Sequence, residues 1–257
     1  MNIEQSIRVS SYLFILGFLG VVSIVPLISQ LLDLSPQPLV LPLIAIQIIS
    51  VLQGAVFLLL MIWLGCVFSK KVGLTTPVIT ALARSQGVLK ELKPQIIPAL
   101  IGGIVGGLFL SLLLSAASPY LPAEYLSATE TVAVSWYAKI LYGGITEEIL
   151  IRWGLMSFLV WAIYRLSQTN GSKIHSHNFV IAIILSSLVF GLAHLPALFA
   201  LVPEVVPDVT IALLAFIVSG NAVFGFIAGY LYWKRGLECA MVAHIVAHTT
   251  LIIMANV

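Results

Sequence analysis

The stretch Gly143-Gly144-Ile145-Thr146-Glu147-Glu148-Ile149-Leu150-Ile151-Arg152-Trp153-Gly154 places two adjacent glutamates and an arginine inside a run otherwise apolar enough to cross a membrane. Each ionisable group at a bilayer centre costs roughly 2.5–3.5 kcal/mol on insertion scales, so three together need a physical reason. Helical spacing supplies part of it. Glu148 and Arg152 stand four residues apart, on one helix face, where an ion pair offsets their desolvation. Glu147 lies about 100° round the helix from Glu148 and has no such local partner, so its carboxylate is expected to meet another helix.

Composition agrees with a membrane setting. Hydrophobic residues make up 60% of the 257, charged residues 9%, and the mean hydropathy is +1.12. Long continuous apolar runs predict an all-α polytopic transmembrane helical bundle and exclude a transmembrane β-barrel, which would show short alternating segments. A net charge of +2 is too small to point to nucleic acid. The first apolar run lacks the cleavage pattern of a signal peptide, and Cys66 and Cys239 form no disulfide framework or CxxC pair.

Seven spans are expected, over 9–32, 41–68, 95–117, 138–164, 179–202, 210–233 and 237–256, the fourth with an optional start near Thr131. The glycine pairs at 102–103 and 106–107, with Gly225 and Gly229, follow the small-xxx-small pattern of close helix packing. Arg8, Lys70, Lys71, Arg84, Lys90, Lys93, Arg165, Lys173, Lys234 and Arg235 fall on one side of this seven-span arrangement. The opposite loops hold Asp33, Glu124, Glu130, Glu204 and Asp208 and no lysine or arginine, which predicts the N-terminus inside and the C-terminus outside. Segment 69–94, the longest loop, reads either as an ordinary basic loop or as an amphipathic piece on the inner surface. The whole chain, 1–257, reads as a single membrane domain: accessory helices and a basic cytoplasmic loop over 1–130, and a core over 131–257.

Five histidines are available to meet Glu147. His175 and His177 sit in a polar loop and are read as solvated. His194 lies in the fifth span, one turn after Phe190, while His244 and His248 share one face of the seventh, beside the small residues Ala240, Ala243 and Ala247. A single histidine in a span is often only an interhelical hydrogen-bonder; three with a spare carboxylate are harder to assign to packing. A carboxylate beside an imidazole can hold and deprotonate a water, and a second imidazole can donate to a developing oxyanion, which together amount to amide hydrolysis. One Glu with two or three His is also a set that zinc accepts, so Glu147, His194, His244 and His248 double as candidate metal ligands, although no HExxH is present.

Glu147-Glu148-x-x-x-Arg152, Phe190-x-x-x-His194 and His244-x-x-x-His248, in that order, resemble the CPBP family of CAAX proteases and bacteriocin-processing enzymes, also called Abi. The resemblance covers roughly residues 131–257 and includes the turn Lys234-Arg235-Gly236-Leu237. It implies an intramembrane endopeptidase of the cell membrane, acting on a peptide or protein substrate, lipidated or otherwise membrane-tethered, with no cofactor beyond the zinc alternative. By similarity, Glu147 and His194 activate water, His244 and residue 248 line an oxyanion hole, and Glu148, Arg152 and Phe190 shape the site. The family pattern has Asn or Asp at 248; this chain has His. Eukaryotic members remove a tripeptide from prenylated CAAX proteins, and bacterial relatives are linked to bacteriocin maturation or immunity. A non-catalytic immunity or partner-binding protein, and a proton- or metal-coupled transporter, are the competing readings of the same residues.

Overall fold

The computed structural model describes residues 3–34, 38–132, 134–167, 173–201 and 210–255. Seven helices in it are long and apolar enough to cross a membrane, and no strand occurs among the described residues. The spanning helices are α1 (Ile3–Asp33), α2 (Leu43–Val72), α4 (Val88–Tyr120), α6 (Trp136–Ser167), α7 (Ser176–Leu201), α8 (Ile211–Arg235) and α9 (Leu237–Met254). Two short helices, α3 (Pro77–Ala83) and α5 (Ala123–Thr131), lie in the connections before α4 and α6. The chain is a multi-pass membrane protein.

Each expected span has its helix, with differences at the ends. Helix α4 starts at Val88, seven residues before the expected 95, and carries Pro94 and Pro98 inside it. Within a membrane bundle, neighbouring helices can re-satisfy the backbone groups that a proline frees. Helix α6 does not run back to Thr131: α5 ends there, and the spanning helix begins separately at Trp136. Glu204 and Asp208, two of the acidic loop residues, lie outside the described residues.

Helix α6 is the axis of the bundle. Its first half packs on α1 and α9, and its second half on α2 and α7. Helix α9 packs closely along α4. A Cβ at Gly103 would strike the Ala243 carbonyl and Val246, and one at Gly107 would strike Thr250. Gly225 and Gly229 play the same part where α8 crosses α7, against Ser187 and Ile183. These glycines are packing residues.

Segment 69–94 is neither a surface amphipath nor a plain loop. Leu74, Thr76, Ile79 and Ala83 are buried, and α3 is clamped to the start of α9. The Glu238 carboxylate accepts a hydrogen bond from the Ile79 amide (2.8 Å), and the Leu237 amide donates to the Thr75 carbonyl (3.1 Å). A carboxylate at the first turn of α3 satisfies an amide left over at a helix start. The basic residues Arg84, Lys90 and Lys93 remain exposed, as their hydration demands.

Candidate functional site

Around the two glutamates α6 is wound more widely than an α-helix. Residues Lys139–Thr146 and Ile149–Met156 are π-helical, and Glu147 and Glu148 sit at the junction between the two stretches. The sequence reading assumed α-helical winding throughout, which the structure corrects. Hydroxyl groups follow the wider period: Thr146 Oγ1 donates to the Leu141 carbonyl and Ser157 Oγ to the Arg152 carbonyl, each five residues back. π-Windings are rare and recur at functional sites, where they re-aim side chains.

The Glu148–Arg152 pair forms as expected, with Nε 3.3 Å from Oε2 and both side chains fully buried. At that distance the groups attract as ions, but the N–H is not aligned as a hydrogen bond, and Nε, Nη1 and Oε2 have no hydrogen-bond partner among the described residues. Other contacts hold the guanidinium. Nη2 donates to the Gly225 carbonyl of α8 at 3.2 Å, and the Phe190 ring of α7 lies 4.8 Å from Cζ. Arg152 therefore ties α6 to both neighbouring helices, and Phe190 is a wall of the site.

Glu148 has a second partner that helical spacing could not reveal. Its Oε1 lies 2.8 Å from Nδ1 of His244 on α9. An ionised carboxylate only accepts, so beside Arg152 it fixes the imidazole proton on Nδ1 and leaves Nε2 facing inward. His194 is oriented in the same sense. Its Nδ1 donates to the Phe190 carbonyl at 2.8 Å, which again leaves Nε2 as the free nitrogen.

Both free nitrogens face Glu147. Nε2 of His194 is 4.0 Å from Oε1, and Nε2 of His244 is 3.9 Å from Oε2. The spare carboxylate thus meets the other helices at His194 and His244, two of the three histidines anticipated for it, while His248 reaches His244 instead. Its side chain is 17% exposed and that of His194 31%, against 6% for His244, so the approach is from the His194 side. His248 stacks on His244, with centroids 4.8 Å apart and planes 14° from parallel, and Phe224 covers His244 at 4.4 Å. A Cβ at Gly143 would collide with the His248 ring, so α6 needs glycine where this imidazole rests. His175 and His177 pack edge to face on each other, 5.2 Å apart, at the start of α7.

The arrangement can polarise a water between a carboxylate and two basic nitrogens. Contacts of 3.9–4.0 Å exceed a direct hydrogen bond and suit a shared water. Glu147, His194 and His244 are also the side chains a zinc ion would use, and in the spacing they have here no group of three His, Cys, Asp or Glu among the described residues is set to hold one.

A family model described as "Type II CAAX prenyl endopeptidase Rce1-like" matches residues 129–250, the stretch that carries all three motifs. The match bears out the resemblance read from those motifs. No curated protein and no solved structure matches the chain.

Proposed function

With residues 129–250 Rce1-like as the premise, we propose that the protein is an intramembrane endopeptidase that hydrolyses peptide bonds of membrane-associated proteins or peptides. The observation that carries the reading is the convergence of the Glu147 carboxylate on the Nε2 atoms of His194 and His244. In this reading Glu147 and His194 hold the water, and Glu147 takes its proton as the oxygen attacks the scissile carbonyl carbon. The electron pair of the carbonyl moves to oxygen, and a donor must meet that charge. His244 has its proton directed to Glu148, so the neutral ring offers a lone pair at Nε2, and the donor role falls to the N–H of His248. Glu147 then returns the proton to the leaving amine as the C–N bond breaks. No metal enters these steps.

Glu148 and Arg152 are positioning residues: they orient His244 and hold α6 against α7 and α8. We further propose that the N-terminus lies inside, on the one-sided distribution of lysine and arginine. Single cysteines placed in a Cys66→Ser, Cys239→Ser background test this. An impermeant thiol reagent added to intact cells is expected to label position 130 and to leave position 173 unlabelled; the reverse pattern overturns the orientation.

Activity is tested by comparing the terminal peptides of membrane proteins in cells that carry the wild type with those that carry Glu147→Ala. New C- or N-termini present only with the wild type support the peptidase. Identical sets of termini contradict it and leave the immunity or partner-binding reading in its place.

A further inference from the structure

Helices α4 and α8 leave a groove of about 570 Å³ between them, and its lining shares no residue with the site around Glu147. Ile97 and Ile101 of α4 and Phe226, Ile227 and Leu231 of α8 make its walls apolar. Gly102 leaves the floor bare, since a Cβ there would come within 2.8 Å of Leu231 and 3.1 Å of Ile227. A second hollow, of about 280 Å³, continues the groove toward the basic end of the bundle. Pro98, Tyr230 and Leu231 line both hollows, and the second adds Lys234 and Arg235.

Helical spacing builds this gradient into one face of α8. Phe226, Tyr230 and Lys234 stand four residues apart, as do Ile227, Leu231 and Arg235, so the stripe runs from apolar to charged. On α4, Lys93 stands one turn before Ile97, at the same end. Lys234 and Arg235 are exposed, and neither is paired with an acid among the described residues. The Lys234 ammonium lies over the Trp233 ring, 3.4 Å from its centroid, which holds the charge in place without neutralising it.

In a bilayer any acyl chain can cover an apolar groove, but one that ends at two cations selects a chain with an anion at its end. The Arg235 guanidinium matches phosphate as a fork of donors, Lys234 adds a point charge, and Tyr230 adds a phenolic O–H. A zwitterionic lipid would bring its own cation beside Lys234 and Arg235. A peptide segment would leave its backbone groups unsatisfied against apolar walls.

We propose that this groove binds an anionic phospholipid, with an acyl chain between Ile101 and Ile227 and the phosphate on Lys234, Arg235 and the Tyr230 hydroxyl. The lipid then braces the turn at Gly236, where φ is +110°, from which α9 starts at Leu237, about two turns before His244. The contact is independent of the reaction the site performs.

Full-length protein purified in a nonionic detergent is given phosphatidylglycerol or phosphatidylcholine with the same chains, and retained lipid is counted by native mass spectrometry. Phosphatidylglycerol is expected to bind about tenfold or more tightly. Lys234→Gln with Arg235→Gln should remove that preference, and Ile101→Trp, which fills the groove, should weaken binding of both lipids. Lys70→Gln with Lys71→Gln takes the same charge from the last turn of α2, outside the groove, and should change neither. Unfolding midpoints in lipid-free detergent should match the wild type for all three variants, as befits exposed positions. Glycerol phosphate, the headgroup unit without chains, should not displace the bound lipid at matched concentration. Equal binding of the two lipids, a preference that survives loss of Lys234 and Arg235, or an equal loss in the Lys70 and Lys71 variant overturns the site. Undiminished binding to Ile101→Trp, or displacement by glycerol phosphate, overturns it as well, because the groove then takes no part.

Discussion

Helices α2 and α6 both cross the membrane, yet they use it in opposite ways. The most apolar window of α2 has a mean hydropathy of 2.4 and only 6% of it is buried; that of α6 has 1.4, with 44% buried. In water the more apolar helix would be the inner one. Here lipid is the solvent, so Ile44, Leu52 and Val56 can stand 60% or more exposed on α2 without loss. What must be hidden is polarity, and α6 hides Thr146, Glu148, Arg152 and Ser157 completely. The helix of lowest hydropathy is therefore the one that holds the bundle together and carries the chemistry.

That contrast can be broken by substitution. Arg152→Met should have the largest effect on stability. It removes the tie to the Gly225 carbonyl and leaves Glu148 buried with His244 alone, at a cost of roughly 3–5 kcal/mol. Thermal unfolding in detergent, together with the yield of membrane-inserted protein, reads the change; an unaltered midpoint would mean the buried pair does not support the bundle.

His248 comes next, and its effect should appear in activity rather than stability. His248→Ala is expected to lower peptide cleavage about a hundredfold or more, as loss of an oxyanion donor does. His248→Asn should keep substantial activity, since the amide also presents an N–H, and a strong chelator should leave the wild type unaffected. Activity lost both in His248→Asn and on chelation, then restored to the wild type by zinc, would replace the donor with a metal ligand.

The smallest effect belongs to α2. Leu52 is 60% exposed, and Leu52→Ala should change the unfolding midpoint by no more than about 0.5 kcal/mol equivalent. If it cost as much as Arg152→Met, the division between a lipid-facing and a site-bearing helix would fail.

Much of this was legible in the sequence because it depends on local properties. A run of apolar residues long enough for a bilayer marks a span wherever it occurs, and all seven were found. The three motifs were legible because charged and imidazole groups are costly in lipid, and therefore conspicuous. Glu148 to Arg152 followed from spacing alone. The Glu148–His244 contact did not, because residues 96 positions apart are joined only by the packing of α9 on α6. The π-winding of α6 left no trace in a pattern that is apolar on almost every side. Glu238 caps α3 from a distance of 159 residues, a contact that no local pattern announces. Tyr232 stands near the end of a span, where tyrosine commonly faces the interface, yet it is 1% exposed and its hydroxyl lies 2.9 Å from Ser157 Oγ.

The most direct measurement is peptide cleavage by purified Glu147→Gln protein. The change keeps the shape of the side chain and removes the group that accepts the water's proton, while the Glu148–Arg152–His244 contacts that support the bundle stay in place. The protein should insert, elute and unfold like the wild type and show no cleavage above background. Retained cleavage in a folded Glu147→Gln protein would contradict water activation by Glu147.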